Sequence, residues 1–504
     1  MQSTFVKTLS PPRISLLSRR RCLRAVLLGV TGIGLAACGG TTATSVVTTS
    51  ATTAVATSTA PKSTTSIAAA VTSSSVATSA QPTVAASTAA VGSATVRTEV
   101  WGPWGPGPVQ QGYDASLQLL NKQQPAVNAA YMAVSPWPTK FVAAAAGGVP
   151  PDAIYGGLGQ AMLVISWAYK GLLAPLDQYL TTSKVQESDF YAPCWQENIF
   201  RGKNYGLVAE VDPNFALVYN KSMFAEVGLD PAMPPTTIAD FDAANQKLLK
   251  KTGSTIARMG STPPWSVYGD PNTLLTWFTQ FGGGFIDSNG KLAVAGAENT
   301  SALDWIAAYA RTYDFAAVTA FTKGYGKFGS VSALATGQIG MAPLVSADFT
   351  HLVSLTKSGA ISSQDFALGY MPTAQAAQKN KGWVGGWAIS QPEGAPHPDQ
   401  SWQLIHWLTA TPEGTDAWAS INGFLPAYSP SPFLKRVATQ FGYDWYLRVL
   451  QSAQTTPPNV AGWGDILPAD FHNLLFGPVQ GTTTSRDTLA TFQKVGAAQL
   501  AQYP

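Results

Sequence analysis

From Val96 onward, short apolar runs alternate with segments of helical period, and this alternation restricts the chain to α/β architectures with largely parallel sheets. Thr95 to Trp101 reads as a first strand that delivers a Gly-Pro-rich loop, Gly102 to Pro108. An alanine-rich helical stretch, Phe141 to Gly148, precedes a short buried strand, Val149 to Tyr155, in β-α-β order. The strand Asn214 to Tyr219 leads into Asn220-Lys221-Ser222, where Ser222 is predicted to cap the helix Met223 to Val227. Thr237, followed three residues later by Asp240, opens the next helix. Asp287-Ser288-Asn289-Gly290 marks a turn between two short strands. Phe328 to Thr336 reads as a helix stopped by Gly337 before the strand Ile339 to Val345. In sheets of this kind, ligands sit beyond the carboxyl ends of the strands.

The start of the chain has a different character. A basic stretch (Arg13, Arg19, Arg20, Arg21, Arg24) runs into an apolar segment, Ala25 to Ala37, too short to span a bilayer as a mature helix. It ends in Leu35-Ala36-Ala37-Cys38-Gly39, which resembles a bacterial lipobox, and Ser18 to Arg24 resembles a twin-arginine export signal. Residues 1–37 are thus expected to be a cleaved lipoprotein signal peptide, with Cys38 as the lipidated N-terminus. Residues 38–95 are almost entirely Ala, Ser, Thr and Val, and predict a disordered tether. A flexible coil of about 55 residues spans roughly 40 Å, enough to hold a domain clear of a membrane surface.

The remaining stretch exceeds one ordinary hydrophobic core, so two lobes are expected on size alone. A formal net charge of +3 gives no basic footprint for nucleic acid. Beyond Cys22 and Cys38 the only cysteine is Cys194, so there is no disulfide framework, and Cys194 reads as a small buried residue. Four histidines, His351, His397, His406 and His472, lack metal-ligand spacing, and neither a nucleophile elbow nor a phosphate-binding Gly-rich loop occurs. No catalytic residue, metal or cofactor is therefore expected. Fifteen tryptophans in so weakly charged a chain supply more flat aromatic faces than a core requires, and such faces suit stacking on sugar rings.

Several segments together resemble the extracellular solute-binding proteins of family 1, the group that includes maltodextrin-binding proteins. They are Ala146 to Asp152, Gly171 to Tyr179 (GLLAPLDQY), Ala216 to Lys221, Glu226 to Leu229, Pro235 to Thr237, Gly337 to Met341 (GQIGM), Gly382 to Ile389 (GWVGGWAI) and Gly423 to Ala427. The resemblance implies a two-lobed periplasmic-binding-protein-like fold of type II, with doubly wound lobes and a hinge of three crossing segments. It places one lobe over 96–211 with 345–400 and the other over 212–344 with 401–504. The crossings would fall near Val211 to Asn214, Met341 to Asp348 and Pro396 to Gln403. It implies a monomeric, lipid-anchored receptor on the extracytoplasmic face of the cell membrane, handing a carbohydrate to the permease subunits of an ABC importer. Where the family often carries an aromatic after the GQIGM strand, this chain has Val345-Ser346-Ala347-Asp348.

Sugar recognition needs aromatic faces and fixed polar groups in a cleft. Trp104, flanked by Gly and Pro on the first loop, is a candidate, while Trp101 reads equally as core. Tyr155 ends a strand and either meets ligand or packs under the next helix. Trp277 and Gln280, before Phe281-Gly282-Gly283-Gly284, resemble a second-lobe aromatic patch of the family. Trp383 and Trp387 flank Gly385-Gly386, whose missing side chains would leave room for substrate. Trp463, between two glycines, stands where sugar binders of the family carry a late tryptophan. Asp212 and Asn214 flank the first crossing and offer hydrogen bonds to hydroxyls. Two rival readings keep the same residues in play. A cationic solute such as a polyamine would use an aromatic box with Asp212, Asp348 or Asp465. A secreted glycoside-active enzyme would need a carboxylate pair in a hydrolase context that the sequence does not present.

Overall fold

The computed structural model describes residues 95–125, 127–157, 163–326, 329–359, 361–452, 456–466 and 468–503. The expected signal peptide, Cys38 and nearly all of the expected tether lie outside the described residues.

In chain order the strands are β1 (Val96–Gly102), β2 (Val127–Ala133), β3 (Ala153–Gly156), β4 (Ile199–Phe200), β5 (Lys203–Asn204), β6 (Leu207–Asn214), β7 (Ala216–Asn220), β8 (Lys250–Thr252), β9 (Thr255–Ser261), β10 (Ile339–Leu344), β11 (Phe366–Tyr370), β12 (Trp383–Ser390) and β13 (Leu425–Pro426). They form two principal sheets, each the centre of one lobe. The first has the order β13-β6-β12-β3-β1-β2 and the second β11-β7-β10-β9-β8, while β4 and β5 pair as a separate hairpin.

Both sheets are mixed, where largely parallel sheets were expected. β1 runs parallel to β2 and β3, and β9 parallel to β10. β12 is antiparallel to β3 and β6, and β7 antiparallel to β10 and β11. The hinge is the cause. β6 leaves the first lobe toward the hinge and β12 returns from it, so as sheet neighbours they must run in opposite directions.

Helices cover the sheets as their apolar faces require. Pro108–Gln123 buries Tyr113, Leu117 and Leu120 against β2 and the helix Pro412–Asn422, while Pro398–Ala410 packs on β1 and β6. In the second lobe Ile238–Leu248 covers β9, Ser330–Ala335 covers β10, and Asp270–Phe281, Ala297–Tyr313, Pro468–Val479 and Ser485–Leu500 form a helical layer. Among the described residues, no helix is long and apolar enough to cross a membrane.

Two boundaries differ from expectation. β11 lies in the second sheet, so 345–370 does not belong wholly with the first lobe. The helices Pro398–Ala410 and Pro412–Asn422, with β13, belong to the first lobe rather than the second. The chain therefore passes between sheets at Asn214–Ala216, again between Tyr370 and Trp383, and finally between Pro426 and Tyr443, since Tyr446 and Trp445 contact Leu344 and Tyr370 of the second lobe. The passages after β11 and after β13 lie later in the chain than the expected second and third crossings.

Local signals also split. Thr237 caps its helix by accepting from the Asp240 N–H at 3.0 Å. The preceding helix, Lys221–Glu226, is capped by Asn220 rather than Ser222, because the Asn220 carboxamide oxygen reaches the Met223 N–H at 2.9 Å. Gly337 stops Ser330–Ala335 at a φ of 74°, a left-handed conformation that favours glycine.

Candidate functional site

Segments that follow the carboxyl ends of strands in both lobes supply a set of aromatic and acidic side chains. After β1 comes Trp104, after β2 Trp137, after β9 Tyr268 and after β10 Asp348.

In the first lobe the loop carrying Trp104 is fixed by its own backbone, whose N–H donates to the Tyr131 hydroxyl at 2.9 Å. Gly102 permits this approach, since a Cβ there would meet the Tyr131 hydroxyl at 2.5 Å. The Trp104 ring stacks on Tyr113 (5.8 Å between centroids, 28°), meets Tyr155 edge-on (4.9 Å, 88°) and lies 4.8 Å from Trp387. Trp137 lies 6.1 Å from Trp387, and its indole N–H donates to the Tyr155 carbonyl at 2.9 Å. Trp104, Trp137 and Trp387 are partly exposed, whereas Tyr113, Tyr131 and Tyr155 are buried beneath them. The result is a rigid aromatic platform with three tryptophans at its surface.

Beside it runs a row of polar acceptors. Glu210, Asp212 and Asn214 alternate along β6 and share one face, with Trp387 opposite Glu210 and Trp383 opposite Asn214 in the ladder. All three are buried. Neither carboxylate oxygen of Glu210 has a partner at hydrogen-bond geometry, although the Tyr113 hydroxyl lies close enough to act on it. Burial first, and then the neighbouring Asp212 charge, drive the Glu210 carboxyl well above the usual range. Asp212 is pushed up to about 7 by burial, opposed by a hydrogen bond from the Ser346 hydroxyl at 3.2 Å and assisted by the Asp348 charge. Asp348, only partly buried at its surface, is raised to about 6 by burial. Tyr268 of the second lobe is 40 % exposed, yet its hydroxyl end lies deep enough to be raised by burial and then by Asp212, Asp348 and Glu210. That electrostatic contact joins the two lobes across the cleft.

The structure gathers Trp104, Tyr155, Trp387, Asp212 and Asn214 into this one region and sets the other predicted residues elsewhere. Trp277 is 0 % exposed, its N–H bound to the Pro264 carbonyl at 2.7 Å and its ring 4.6 Å from Trp305, which makes it a core residue of the second lobe. Gln280 is buried beside it and donates to the Lys381 carbonyl. Trp383 packs at the hinge, against Phe215 at 6.0 Å, and donates to Thr276 Oγ1 of the second lobe at 2.9 Å. Trp463 is 1 % exposed between Phe285 (4.9 Å) and Phe471 (5.5 Å). Its flanking glycines serve packing rather than ligand access: a Cβ on Gly462 would strike the Tyr503 ring at 2.4 Å, and one on Gly464 would strike Leu163 at 2.9 Å. Gly386 likewise is needed for packing, since its Cβ would meet Val208 at 2.2 Å.

Sequence reasoning missed Glu210, Tyr268, Trp137, Tyr113 and Tyr131. Two signals pointed to them. Polar residues at alternate positions of an otherwise apolar strand, Glu210, Asp212 and Asn214, mark one functional face. The strand-end rule that singled out Trp104 after β1 applies equally after β2, β9 and β10. Among the described residues, no group of His, Cys, Asp and Glu could hold a metal ion.

Two lobes on mixed sheets, crossed three times by the chain, with an aromatic and acidic cleft at the strand ends, define a solute receptor of the lobe-closing kind. The chain belongs to the bacterial extracellular solute-binding protein family, whose pattern it matches over residues 104–415. Its fold is shared with solved solute-binding proteins. CpMnBP1 with bound mannotriose superposes with a TM-score of 0.68 at 24 % identity, covering 80 % of this chain and all of that one. The GacH receptor of Streptomyces glaucescens, solved unliganded and with acarbose, gives 0.66 at 20 % identity, covering 81 % and 100 %. The sugar-binding protein MalE of Xanthomonas citri gives 0.64 at 19 % identity, covering 81 % and 98 %. None of the curated proteins matches the chain in sequence.

Proposed function

We propose that this chain is the substrate-capturing lipoprotein of an ABC importer, anchored through Cys38 on the extracytoplasmic face of the membrane, and that it binds a sugar or oligosaccharide between its lobes. The observation that supports this most directly is the platform of three partly exposed tryptophans, Trp104, Trp137 and Trp387, held rigid by buried tyrosines beside a row of hydrogen-bond acceptors. Sugar rings present C–H faces to such surfaces and hydroxyls to the acceptors. The likeness to receptors solved with mannotriose, acarbose and maltotriose agrees with this reading. Ligand would bridge Trp104 and Trp387 of one lobe to Tyr268 and Asp348 of the other, shifting the population of open and closed forms, and the closed form would dock on the permease. The protein acts by binding and release, with no chemical step.

The test is intrinsic tryptophan fluorescence of the full chain titrated with mannotriose, maltotriose and cyclic glucans. A saturable change with one of them, weakened about tenfold or more by Trp387→Ala, is expected from the loss of a stacking face. If no saccharide gives a saturable change, the reading fails.

A further inference from the structure

The balance of donors and acceptors in the cleft is lopsided. Glu210, Asp212 and Asn214 present three side chains on one face of β6, each no more than 3 % exposed. Both Glu210 oxygens and the Asn214 Oδ1 have no partner at hydrogen-bond geometry, and the Asn214 carboxamide N–H is spent on the Asp212 carbonyl. Asp348 adds a fourth acceptor from the second lobe. The charges that act on Glu210 and on Asp212 are other acids, Asp212 and Asp348 in turn. The donors in the same region are hydroxyls, those of Tyr113, Tyr155, Tyr268 and Ser346, and the Ser346 hydroxyl is already bound to Asp212.

Buried acceptors without donors are costly, about 1–3 kcal/mol for each unsatisfied group and more for a charged one, so a ligand that brings donors is favoured there. A sugar hydroxyl brings one donor together with two acceptor lone pairs, which adds acceptors to a cleft already rich in them. An ammonium brings three donors, no acceptor and a positive charge. We propose that the cleft selects a saccharide carrying a protonated amine, with sugar rings on Trp104, Trp137 and Trp387 and the ammonium group delivered between Asp212 and Asp348, beside Glu210. The proposal rests on the saccharide reading above and narrows it to amino sugars with a free amine. Acetylating that nitrogen removes the charge and two of its three donors, so the N-acetyl sugar is the matched negative control.

The experiment is calorimetric titration of the full chain at pH 7 with a glucosamine trisaccharide, its N-acetylated counterpart, maltotriose and putrescine. The free-amine trisaccharide is expected to bind at least about tenfold more tightly than the N-acetylated one, the difference one charge-assisted hydrogen-bond set supplies. Asp348→Asn is expected to shrink that ratio to about threefold or less, and Asp304→Asn, which removes an exposed carboxylate on the helix Ala297–Tyr313 outside the cleft, to preserve it. Equal or tighter binding of the N-acetylated or neutral trisaccharide would overturn the amine proposal and leave the saccharide reading standing. Putrescine binding as tightly as the amino trisaccharide would overturn the proposal by showing that the rings are not read. Silence toward all the saccharides would overturn both.

Discussion

Asp212 links the cleft to the stability of the whole molecule, and Asp212→Asn is the substitution that exposes the link. Raising this carboxyl from 3.8 to about 7 costs about 4 kcal/mol in the ionised form, at about 1.36 kcal/mol for each pH unit. The folded-state value is raised, so the folded chain holds a proton that the unfolded chain has already lost. Stability is therefore full below about pH 4 and falls as pH rises to about 7, where the folded carboxyl finally ionises. Between pH 5 and pH 8 the loss through this residue is roughly 3 kcal/mol, a sizeable fraction of the 5–15 kcal/mol that holds a typical domain together. Asparagine keeps the shape and the capacity to accept from Ser346 but cannot ionise. Urea unfolding at pH 5 and pH 8 should show the wild type losing stability across the interval and Asp212→Asn losing roughly 3 kcal/mol less. Removing the Asp212 charge also relieves Glu210, which widens the gap between the two proteins. Wild type and variant falling in parallel with pH would refute the assignment of a buried, reluctantly ionised carboxyl at the cleft floor.

Two further outcomes test the placement of residues outside the cleft. Trp277→Ala removes a fully buried indole and its hydrogen bond to Pro264, so unfolding free energy should drop by about 3–5 kcal/mol while ligand affinity of the folded protein stays within about twofold. Cys194 is buried, with its thiol pushed well above the usual value by burial and then by the Glu197 charge, so a thiol reagent should modify it only on unfolding, and rapid reaction in native buffer would contradict the packing.

How far the sequence could be read depended on how local each cause was. Thr237 was legible as a cap because its partner lies three residues away, and Gly337 as a stop because a left-handed residue at a helix end calls for glycine. The strand Phe366–Tyr370 pairs with β7, nearly 150 residues earlier, a neighbour that no local pattern in 345–400 announces. Trp104 and Trp387 stood out by their surroundings of Gly and Pro. The same reasoning failed at Trp463, where the glycines make room for Tyr503 and Leu163, contacts that are distant in sequence. Tyr268 has only its place after a strand end to mark it. It gains meaning only from Asp212 and Asp348, which the folded chain brings to it.

Only Phe215 separates β6 of one sheet from β7 of the other. One extended residue spans at most about 3.6 Å, so at this point the lobes cannot draw apart. Opening must be a swing about an axis near Phe215, and the gap it creates is a wedge, narrow at the acidic floor by Asp212 and widening with distance from the crossing. Under the lobe closure proposed above, a guest would then enter sideways through the broad edge, and the part seated nearest the axis would be gripped first.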